Sequence, residues 1–470
     1  MSRHPHRPTN PTRRDVLRGG TAASLGVLLG GDAIASVSAW FGATDAVNRD
    51  RPYLDTARRS AAWLRATAIT DERGTRWPAD PNDPKSVSLD LYNGTTGVIP
   101  FWLELHHATG DREALALAAS GADYLVGTLP EGKIEDAGLY TGVAGVGWVL
   151  AMVHRATGAA KYGDAAARAL ELLKGAATPT GAGVAWSDST DVISGSAGIG
   201  LYLLWAHAAR IDPAVLELAA RAGRRLIEVG VADKGGVKWM ISPEVPRNYP
   251  NFSHGTAGVS YFLATLHQAT GEKAFLDAAT AGATYLEALA TTTPNGGRMV
   301  FHSEPGNEQI FYLSWCHGPG GTARLFHRLG QITGEADRSA WVDHLATAVV
   351  DMQVPEQSPG YWNNISQCCG NCGVTEFFVD LHHEHPDRGR LAFAEQVARN
   401  TISRGTPEGD GMKWIQAEHR VKPELLVAQT GLMQGAAGVG LAMLHLDGAL
   451  AKRQRFVALP DNPFVVGTAG

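Results

Sequence analysis

A short glycine motif recurs seven times along the chain and restricts its possible folds more than any other sequence feature. The motif is Gly-x-x-Gly followed by an apolar run, and its first glycines lie 48, 53, 60, 63, 52 and 65 residues apart. The seven copies begin at Gly94, Gly142, Gly195, Gly255, Gly318, Gly370 and Gly435. Repeats of this size predict stacked supersecondary units, because one such unit cannot bury its own apolar face. The 470 residues therefore predict one repeat array, although length alone suggests two to three domains of roughly 150 residues.

The apolar residues within each repeat predict two helices. After the first motif, Val98, Ile99, Phe101, Trp102 and Leu105 recur with the period of one helix face. A Thr-Gly pair, with glycine as a left-handed cap, is expected to end this helix in several repeats: Thr109-Gly110, Thr157-Gly158 and Thr270-Gly271. Second helical patterns follow at Glu113–Val126, Tyr162–Leu173, Ala214–Val229, Lys273–Ala290 and Leu391–Ile402. Because no alternating stretch is long enough to compete, the repeats predict an all-α closed ring of about fourteen helices, with an inner and an outer layer.

The residue immediately before each first glycine is polar in all seven repeats. These residues are Asn93, Thr141, Ser194, His254, His317, Cys369 and Gln434. Equivalent positions of a closed ring lie at the same end of its central cavity, so this set predicts a polar mouth. Helix capping is an alternative explanation, because asparagine, threonine and serine favour the N-cap position. Capping does not explain why cysteines also cluster here.

All four cysteines fall in the fifth and sixth repeats, at Cys316, Cys368, Cys369 and Cys372. Zinc prefers thiolate and imidazole ligands, and catalytic zinc sites use three protein ligands with a fourth position open. The sequence therefore predicts a catalytic zinc ligated by the first three cysteines, with His317 and His254 as nearby alternative ligands. Three alternatives stay open: a structural zinc using the Cys369-x-x-Cys372 pair, disulfides, and unreactive thiols.

Four segments around these residues resemble the signature segments of the lanthionine synthetase C-like family. They are Asp191-Val-Ile-Ser-Gly195, Ser253-His254-Gly255, Trp315-Cys316-His317-Gly318 and Cys368-Cys369-Gly370. The resemblance implies an α/α toroid of seven inner and seven outer helices over residues 50–450, binding one zinc ion. It also implies that Cys316 and Cys368 are zinc ligands. The third ligand position holds Cys369 where the family has histidine, and a three-thiolate variant is known in related cyclase domains.

The same resemblance implies roles for four further residues. His254 matches the family's acid–base histidine and Asp191 its conserved aspartate. Tyr312 stands where relatives often carry arginine, and His317 where bacterial cyclases often carry tyrosine. These two departures concern substrate recognition and proton handling. The implied reaction adds a cysteine or small-molecule thiol to dehydroalanine or dehydrobutyrine in a dehydrated peptide or protein, and forms a thioether.

Two other function classes remain as alternatives. One is a noncatalytic, zinc-containing toroid that binds peptides. The other is an α/α-toroid glycoside hydrolase, which needs two carboxylates about 5–10 Å apart; Asp191 and Glu418 are the best pair in the sequence. A lone histidine is more often structural, and we interpret His106, His154 and His267 in that way because they recur before the Thr-Gly pairs.

Residues 1–40 predict an export signal. Arg13-Arg14 lies in a segment that resembles a twin-arginine motif, and thirteen uncharged residues, 19–31, follow. That stretch is too short to span a bilayer, which needs about 20 apolar residues. The expected mature protein is extracytoplasmic, without stable membrane insertion, and residues 451–470 form a C-terminal tail. A disordered tail with a chance arginine pair is the alternative. The net charge of -6 gives no electrostatic indication of nucleic-acid binding.

Overall fold

A computed structural model of the chain describes residues 51–245, 247–356 and 360–464. The predicted export signal lies outside these residues. The described ranges contain fourteen α-helices: α1 Pro52–Ala66, α2 Thr95–Thr109, α3 Arg112–Thr128, α4 Val143–Thr157, α5 Ala160–Ala176, α6 Ser196–Ala208, α7 Val215–Val229, α8 Thr256–Thr270, α9 Lys273–Leu289, α10 Pro319–Thr333, α11 Ala336–Asp351, α12 Asn371–Glu384, α13 Arg388–Ser403 and α14 Ala436–Leu450. None of these helices has the length and hydropathy needed to cross a lipid bilayer.

The helices form two concentric rings, which confirms the predicted α/α toroid. The even-numbered helices, α2 to α14, each follow one glycine motif and form the inner ring, closed by contacts between α14 and α2. The odd-numbered helices α3 to α13 pack against the inner helix that precedes them. The seventh outer helix is α1, which comes before the first motif and packs against α14. The ring is therefore closed by joining the two ends of the repeat array.

Fourteen short strands occur in the described ranges, and each spans two or three residues. They are β1 Ile69–Asp71, β2 Gly74–Arg76, β3 Thr178–Thr180, β4 Gly183–Ala185, β5 Val231–Asp233, β6 Gly236–Lys238, β7 Thr291–Thr292, β8 Arg298–Met299, β9 Phe311–Tyr312, β10 Tyr361–Trp362, β11 Thr406–Glu408, β12 Gly411–Lys413, β13 Ile415–Ala417 and β14 Leu426–Ala428. Six sequential pairs are antiparallel, whereas β9 and β10 pair in parallel. The antiparallel pairs lie in the loops between helices, whereas β9–β10 joins two loops that are separated in sequence by α10 and α11. None of the pairs builds a layer of its own.

Close backbone packing explains the recurrent glycines. A Cβ atom on Gly258 would lie 2.1 Å from the carbonyl oxygen of Phe252, and one on Gly438 would lie 1.8 Å from that of Leu432. The second glycine of every motif meets the carbonyl of the residue six positions earlier in this way. The segment before each inner helix therefore folds back over the start of that helix, and the motif marks where this occurs.

Replacing Gly438 with alanine should destabilise the protein by about 1–3 kcal/mol or more, the range typical of overpacked interiors. The new methyl group would meet backbone atoms, which cannot move aside as a side chain can. Urea unfolding of the variant checks this expectation. Gly127→Ala is the control, because Gly127 lies within α3 and an added Cβ there would meet nothing within 4 Å. We expect that variant to be neutral or more stable by up to about 1 kcal/mol.

The C-terminal ends of the inner helices agree with the sequence interpretation, whereas their N-terminal ends correct it. Gly110, Gly158 and Gly271 are left-handed caps with φ of 74°, 69° and 74°. The predicted structural histidines lie beside these caps; for example, His106 Nδ1 is 2.8 Å from the carbonyl oxygen of Asp111. At the other end, the N-cap of every inner helix is the motif's first glycine, without a side-chain cap. The capping alternative for the polar set is therefore wrong.

The C-terminal segment 451–464, which we predicted as part of a tail, enters the inner ring. Asp461 is fully buried and accepts hydrogen bonds from Tyr140 Oη at 3.1 Å and Trp315 Nε1 at 3.0 Å. Its carboxylate also forms a 2.9 Å ion pair with Arg324 on α10. A cavity of about 40 Å³ is left between this segment and the inner helices. The segment thus fills the ring interior below the level of the predicted mouth.

Candidate functional site

Backbone hydrogen bonds join the seven repeats into a closed circle at one end of the inner ring. Each bond links a residue just before a motif to its counterpart in the next repeat. The donor–acceptor pairs are Tyr92–Tyr140, Tyr140–Ile193, Val192–Ser253, Ser253–Cys316, Cys316–Cys368, Cys368–Met433 and Met433–Tyr92, with N···O distances of 2.8–3.1 Å. The circle fixes the side chains of neighbouring repeats relative to one another. In particular, the bond from Cys316 N to Cys368 O holds two predicted metal ligands side by side.

A cavity of about 690 Å³ opens at this circle. Six of the seven predicted mouth residues line it: Asn93, Thr141, His254, His317, Cys369 and Gln434. Ser194 does not, because its backbone N–H and hydroxyl both bond to Asp191. The volume lies in the usual range for small-molecule and peptide side-chain pockets, roughly 300–1,000 Å³. The polar set therefore lines a pocket in six of its seven positions.

Three buried cysteines form one compact group in the wall of this cavity. The Sγ atoms of Cys316, Cys368 and Cys369 all lie within 4.8 Å of one another, with Cys316 and Cys369 only 3.1 Å apart. All four cysteines of the chain are free, so the disulfide alternative is not supported. Cys372 lies within α12, fully buried and outside the group. Within the described ranges, the cysteine group is therefore the one that could bind a metal ion, and the alternative site using Cys372 is not formed.

The charges within the cysteine group suit a soft divalent cation. Burial opposes ionisation of Cys368, but hydrogen bonds from Cys316, Cys369 and the Tyr92 hydroxyl outweigh it and lower the pKa of Cys368 well below its ordinary value. Burial and the nearby thiolate raise the pKa of Cys316. Three hydrogen-bond donors thus favour the thiolate form of Cys368. Three sulfurs pointing at one position are the ligand type that zinc prefers.

Tyr92, two residues before the first motif, contacts one of the cysteines. Its hydroxyl lies 3.1 Å from Cys368 Sγ, and Gln434 Nε2 donates to the same hydroxyl at 2.9 Å. Burial, followed by the charges of Cys368 and Cys369, raises the pKa of Tyr92 well above its ordinary value. The phenol therefore stays protonated and donates to the thiolate. Such outer partners orient metal ligands and tune their basicity.

Replacing Tyr92 with phenylalanine should raise the pKa of Cys368 in the metal-free protein and weaken metal binding by about 10–100-fold. The variant removes one hydrogen-bond donor to the thiolate and keeps the ring. The pH dependence of thiolate absorbance and a competitive zinc titration measure the two effects. Tyr162→Phe is the control, because Tyr162 lies on α5 and bonds to Ala119 and Asp123 on α3. Unchanged titration and zinc affinity in Tyr92→Phe would contradict this role.

His254 and Asp191, predicted as the catalytic pair, are in direct contact. His254 Nδ1 lies 2.5 Å from Asp191 Oδ2, and because a carboxylate only accepts, Nδ1 carries the proton. Asp191 is 1% exposed and His254 33% exposed, so the histidine forms the accessible end of the pair. Burial lowers the pKa of His254, but the hydrogen bond and charge of Asp191 outweigh it, and the net pKa is raised. Nε2 is left as the ring nitrogen able to exchange a proton in the cavity.

Asp191 also has a local role in the turn before the third motif. Its Oδ1 accepts from the backbone N–H groups of Ser194 at 2.9 Å and Gly195 at 2.8 Å. Asp90 makes the same turn in the first repeat, but its other oxygen accepts from Ser88 Oγ. The turn therefore occurs without a histidine, and the contact with His254 is a second role for Asp191.

His317 and Tyr312 lie in an aromatic cluster next to this pair. The rings of His254 and His317 are stacked with centroids 5.6 Å apart, and Tyr312 meets His317 edge-on at 5.5 Å. Burial, with the charges of His302 and His254, holds the pKa of His317 well below its ordinary value, so this ring is neutral. Burial and the cysteine charges raise the pKa of Tyr312. Tyr312 and His317 thus both lie in the mouth.

Sequence reasoning missed several polar residues of the cavity wall, and three of them are His302, Arg247 and Arg420. His302 lies between Tyr312 and His317, at centroid distances of 4.3 and 4.5 Å. Arg247 precedes the fourth motif and Arg420 lies in the loop between β13 and β14; both line the cavity. None of the three lies at a fixed offset from a glycine motif. Their position depends on how the loops cross over the inner ring, and no local pattern indicates it.

Comparisons with known proteins agree with the architecture. A sequence profile described as "Lanthionine synthetase C-like protein" matches residues 85–454. Nisin cyclase has a similar structure, with a TM-score of 0.59 and 15% identity, over 84% of this chain and 98% of that chain. An α-1,6-mannanase of Salegentibacter sp. HEL1_6 gives a TM-score of 0.45 at 12% identity, over 85% of this chain and 99% of that chain. Comparison with curated protein sequences gave no match.

Proposed function

The chain belongs to the lanthionine synthetase C-like family, and on this premise we propose that it is a zinc-dependent enzyme that adds a thiol to dehydroalanine or dehydrobutyrine. The observation that carries the proposal is that the three-cysteine group and the His254–Asp191 pair line or border one cavity. The product is a thioether on a dehydrated peptide or protein. The thiol is either a cysteine of the same peptide or a small molecule.

The donor set fits one zinc ion, bound by Cys316, Cys368 and Cys369. Three thiolates are a soft donor set that favours zinc over magnesium or calcium. When bound, zinc would act as a Lewis acid that favours the deprotonated form of a substrate thiol, whose free pKa is about 8.5. The Tyr92 hydroxyl orients Cys368, and the backbone circle keeps Cys316 and Cys368 in place.

His254 is the proposed proton carrier. Its Nε2 accepts the proton released by the thiol, while Asp191 stabilises the resulting imidazolium. The thiol sulfur bonds to the β-carbon of the dehydro residue, and the π electrons move into an enolate. His254 then returns its proton to the α-carbon, so the net change is addition of S–H across C=C. No external oxidant or reductant is required.

The geometry is less favourable to the glycoside hydrolase alternative. That reaction needs two carboxylates facing the substrate. Asp191 is buried, and both of its oxygens are engaged, one by the turn at Ser194 and the other by His254. Glu418 lines the cavity and accepts from Gln429 at 2.9 Å. The noncatalytic toroid differs from our proposal only in activity, so an assay must separate the two.

A test of the proposal uses the zinc-loaded chain and a synthetic peptide that contains one dehydroalanine and one cysteine. We expect loss of the free thiol without change in mass, as cyclisation requires, at a rate that exceeds the uncatalysed reaction. The same peptide without cysteine, given with a small thiol, tests intermolecular addition. If folded, zinc-loaded protein accelerates neither reaction while it binds the peptides, the chain is a noncatalytic binding toroid.

We also propose that the protein is exported through the twin-arginine route. The support is Arg13-Arg14 before an uncharged stretch of thirteen residues. Residues 1–40 fused to a folded reporter should direct it out of the cytoplasm, and a variant with lysine at both arginine positions should keep it inside. Export that persists in the double variant would exclude the twin-arginine route.

A further inference from the structure

Two arginines in the cavity wall lack an acidic partner. Arg247 and Arg420 both line the mouth. Among the described residues, neither guanidinium has a carboxylate oxygen within the 4.0 Å of a salt bridge. The buried arginines of the ring interior differ, since Arg324 pairs with Asp461 and Arg455 with Asp380. Among the described residues, these two guanidinium groups thus form no direct ion pair, although Glu418 and Asp90 line other parts of the same cavity.

The remaining contacts of these arginines do not use all of their donors. Arg420 Nη2 donates to Asn307 Oδ1 at 3.4 Å, and rotating that amide by half a turn directs its oxygen to Arg247 instead. One amide oxygen therefore faces one arginine or the other. The Nε of Arg420 is buried and has no hydrogen-bond partner. The Arg420 guanidinium therefore keeps at least one N–H group that no described acceptor uses.

The positive charges of Arg247 and Arg420 affect the pKa of a histidine in the cavity wall. Burial, and then the charges of Arg420 and Arg247, lower the pKa of His302 to about 4. His302 packs against Tyr312, whose hydroxyl bonds to Arg420 and whose pKa responds to the charges of Cys369 and Cys316. Tyr312 thus lies near both Arg420 and the cysteine group, and all of them line one cavity. A ligand with sulfur at the cysteines and an anionic group a few bonds away would contact both.

We propose that Arg247 and Arg420 form a binding site for a carboxylate of the substrate; this inference rests on the proposed thiol addition for the identity of that substrate. Arginine presents paired N–H groups whose spacing matches the two oxygens of a carboxylate. The neutral histidines beside the pair add no negative charge that would compete. The carboxylate belongs either to a small thiol or to the peptide, at its C-terminus or on an acidic side chain.

The test measures binding of matched acid and neutral ligands to the full chain by ligand-observed NMR. N-acetyl-S-methylcysteine and its amide represent the small thiol, and they can neither ionise at sulfur nor react. A dehydroalanine peptide with a free C-terminus, a second peptide with an internal glutamate, and their amide counterparts represent the peptide. We expect at least one acid to bind about 10–100-fold more tightly than its amide, the range for hydrogen bonds to charged groups. The class that shows the preference identifies the source of the carboxylate.

The preference should disappear in a protein carrying both Arg247→Gln and Arg420→Gln. Arg112→Gln is the matched control for each single variant, because Arg112 is exposed at the start of α3 and its replacement removes one positive charge away from the mouth. Circular dichroism of the double variant reports whether it is folded, and the single variants serve if it is not. Equal binding of acid and amide in the wild type, a preference that survives the double variant, or no binding by any acid would overturn the inference. Because binding needs no reaction, an inactive protein that still prefers acids would refute the proposed function alone.

Discussion

Replacing Cys316 with alanine should reduce the zinc content of the protein from about one ion per chain to a small fraction of that. Cys316 supplies one of only three sulfurs in the group, and its backbone N–H donates to the carbonyl oxygen of Cys368. Loss of an outer partner costs about 10–100-fold in metal affinity, so loss of a ligand should cost more than that. Elemental mass spectrometry on protein purified without residues 1–40, under reducing conditions, gives the measurement.

Cys372→Ala is the matched control for this experiment. Cys372 lies three residues after Cys369, is equally buried, and is outside the cysteine group. We expect that variant to keep its zinc and its activity, whereas Cys316→Ala loses both. Equal zinc in the Cys316 variant and the wild type would show that the metal is bound elsewhere. Folded, reduced wild-type protein without metal would refute the zinc proposal itself.

The second large effect is expected at His254. Replacing it with alanine should slow thiol addition by about 10²–10⁴-fold, the usual contribution of a positioned acid–base group. Zinc content should not change, because the metal group consists of cysteines. His107→Ala, at an exposed histidine near the end of α2, is the control and should react as the wild type does. A His254 variant with wild-type rate would assign the proton transfer to another group.

Asp191→Asn tests the same pair through pH. The net pKa of His254 is raised because Asp191 outweighs burial, so the wild-type rate should rise with pH through a midpoint above about 6.5. In the variant the negative charge is gone and burial dominates, so the midpoint should move to lower pH, with a lower maximal rate. A purely structural Asp191 would lower the amount of folded protein without moving this midpoint. A fixed midpoint would therefore contradict the proposed pairing.

The repeat motif predicted most of the fold because close backbone contacts require its glycines. The glycines lie where a Cβ would meet a carbonyl oxygen, so they mark the start of each inner helix whatever surrounds it. The position of the seventh outer helix was not predictable in this way. Helix α1 precedes the first motif, and only ring closure places it against α14. Strands of two or three residues leave no periodic signal.

The sequence predicted the site residues that lie beside a glycine motif, but it did not predict those that lie on the longer loops. Cys316, Cys369 and His254 occupy positions next to a motif, and the ring brings equivalent positions together. Asp191 and His254 are 63 positions apart in sequence. They meet because they precede the motifs of two neighbouring repeats. Arg420 reaches the mouth from a loop whose path is set by tertiary packing, and its role has no counterpart in the motif.

The buried C-terminal segment restricts how a ligand can enter and leave the cavity. With Asp461 anchored to Arg324, Tyr140 and Trp315 beneath the cavity floor, the described ring is a cup and not a tunnel. Whatever enters must leave by the same opening. If the protein modifies peptides as proposed, a peptide could insert an end or a loop but could not be threaded through, and each finished product would block the next arrival until it departs. Several modifications on one peptide would require repeated withdrawal and re-entry, so their order would depend on which stretch of peptide returns first.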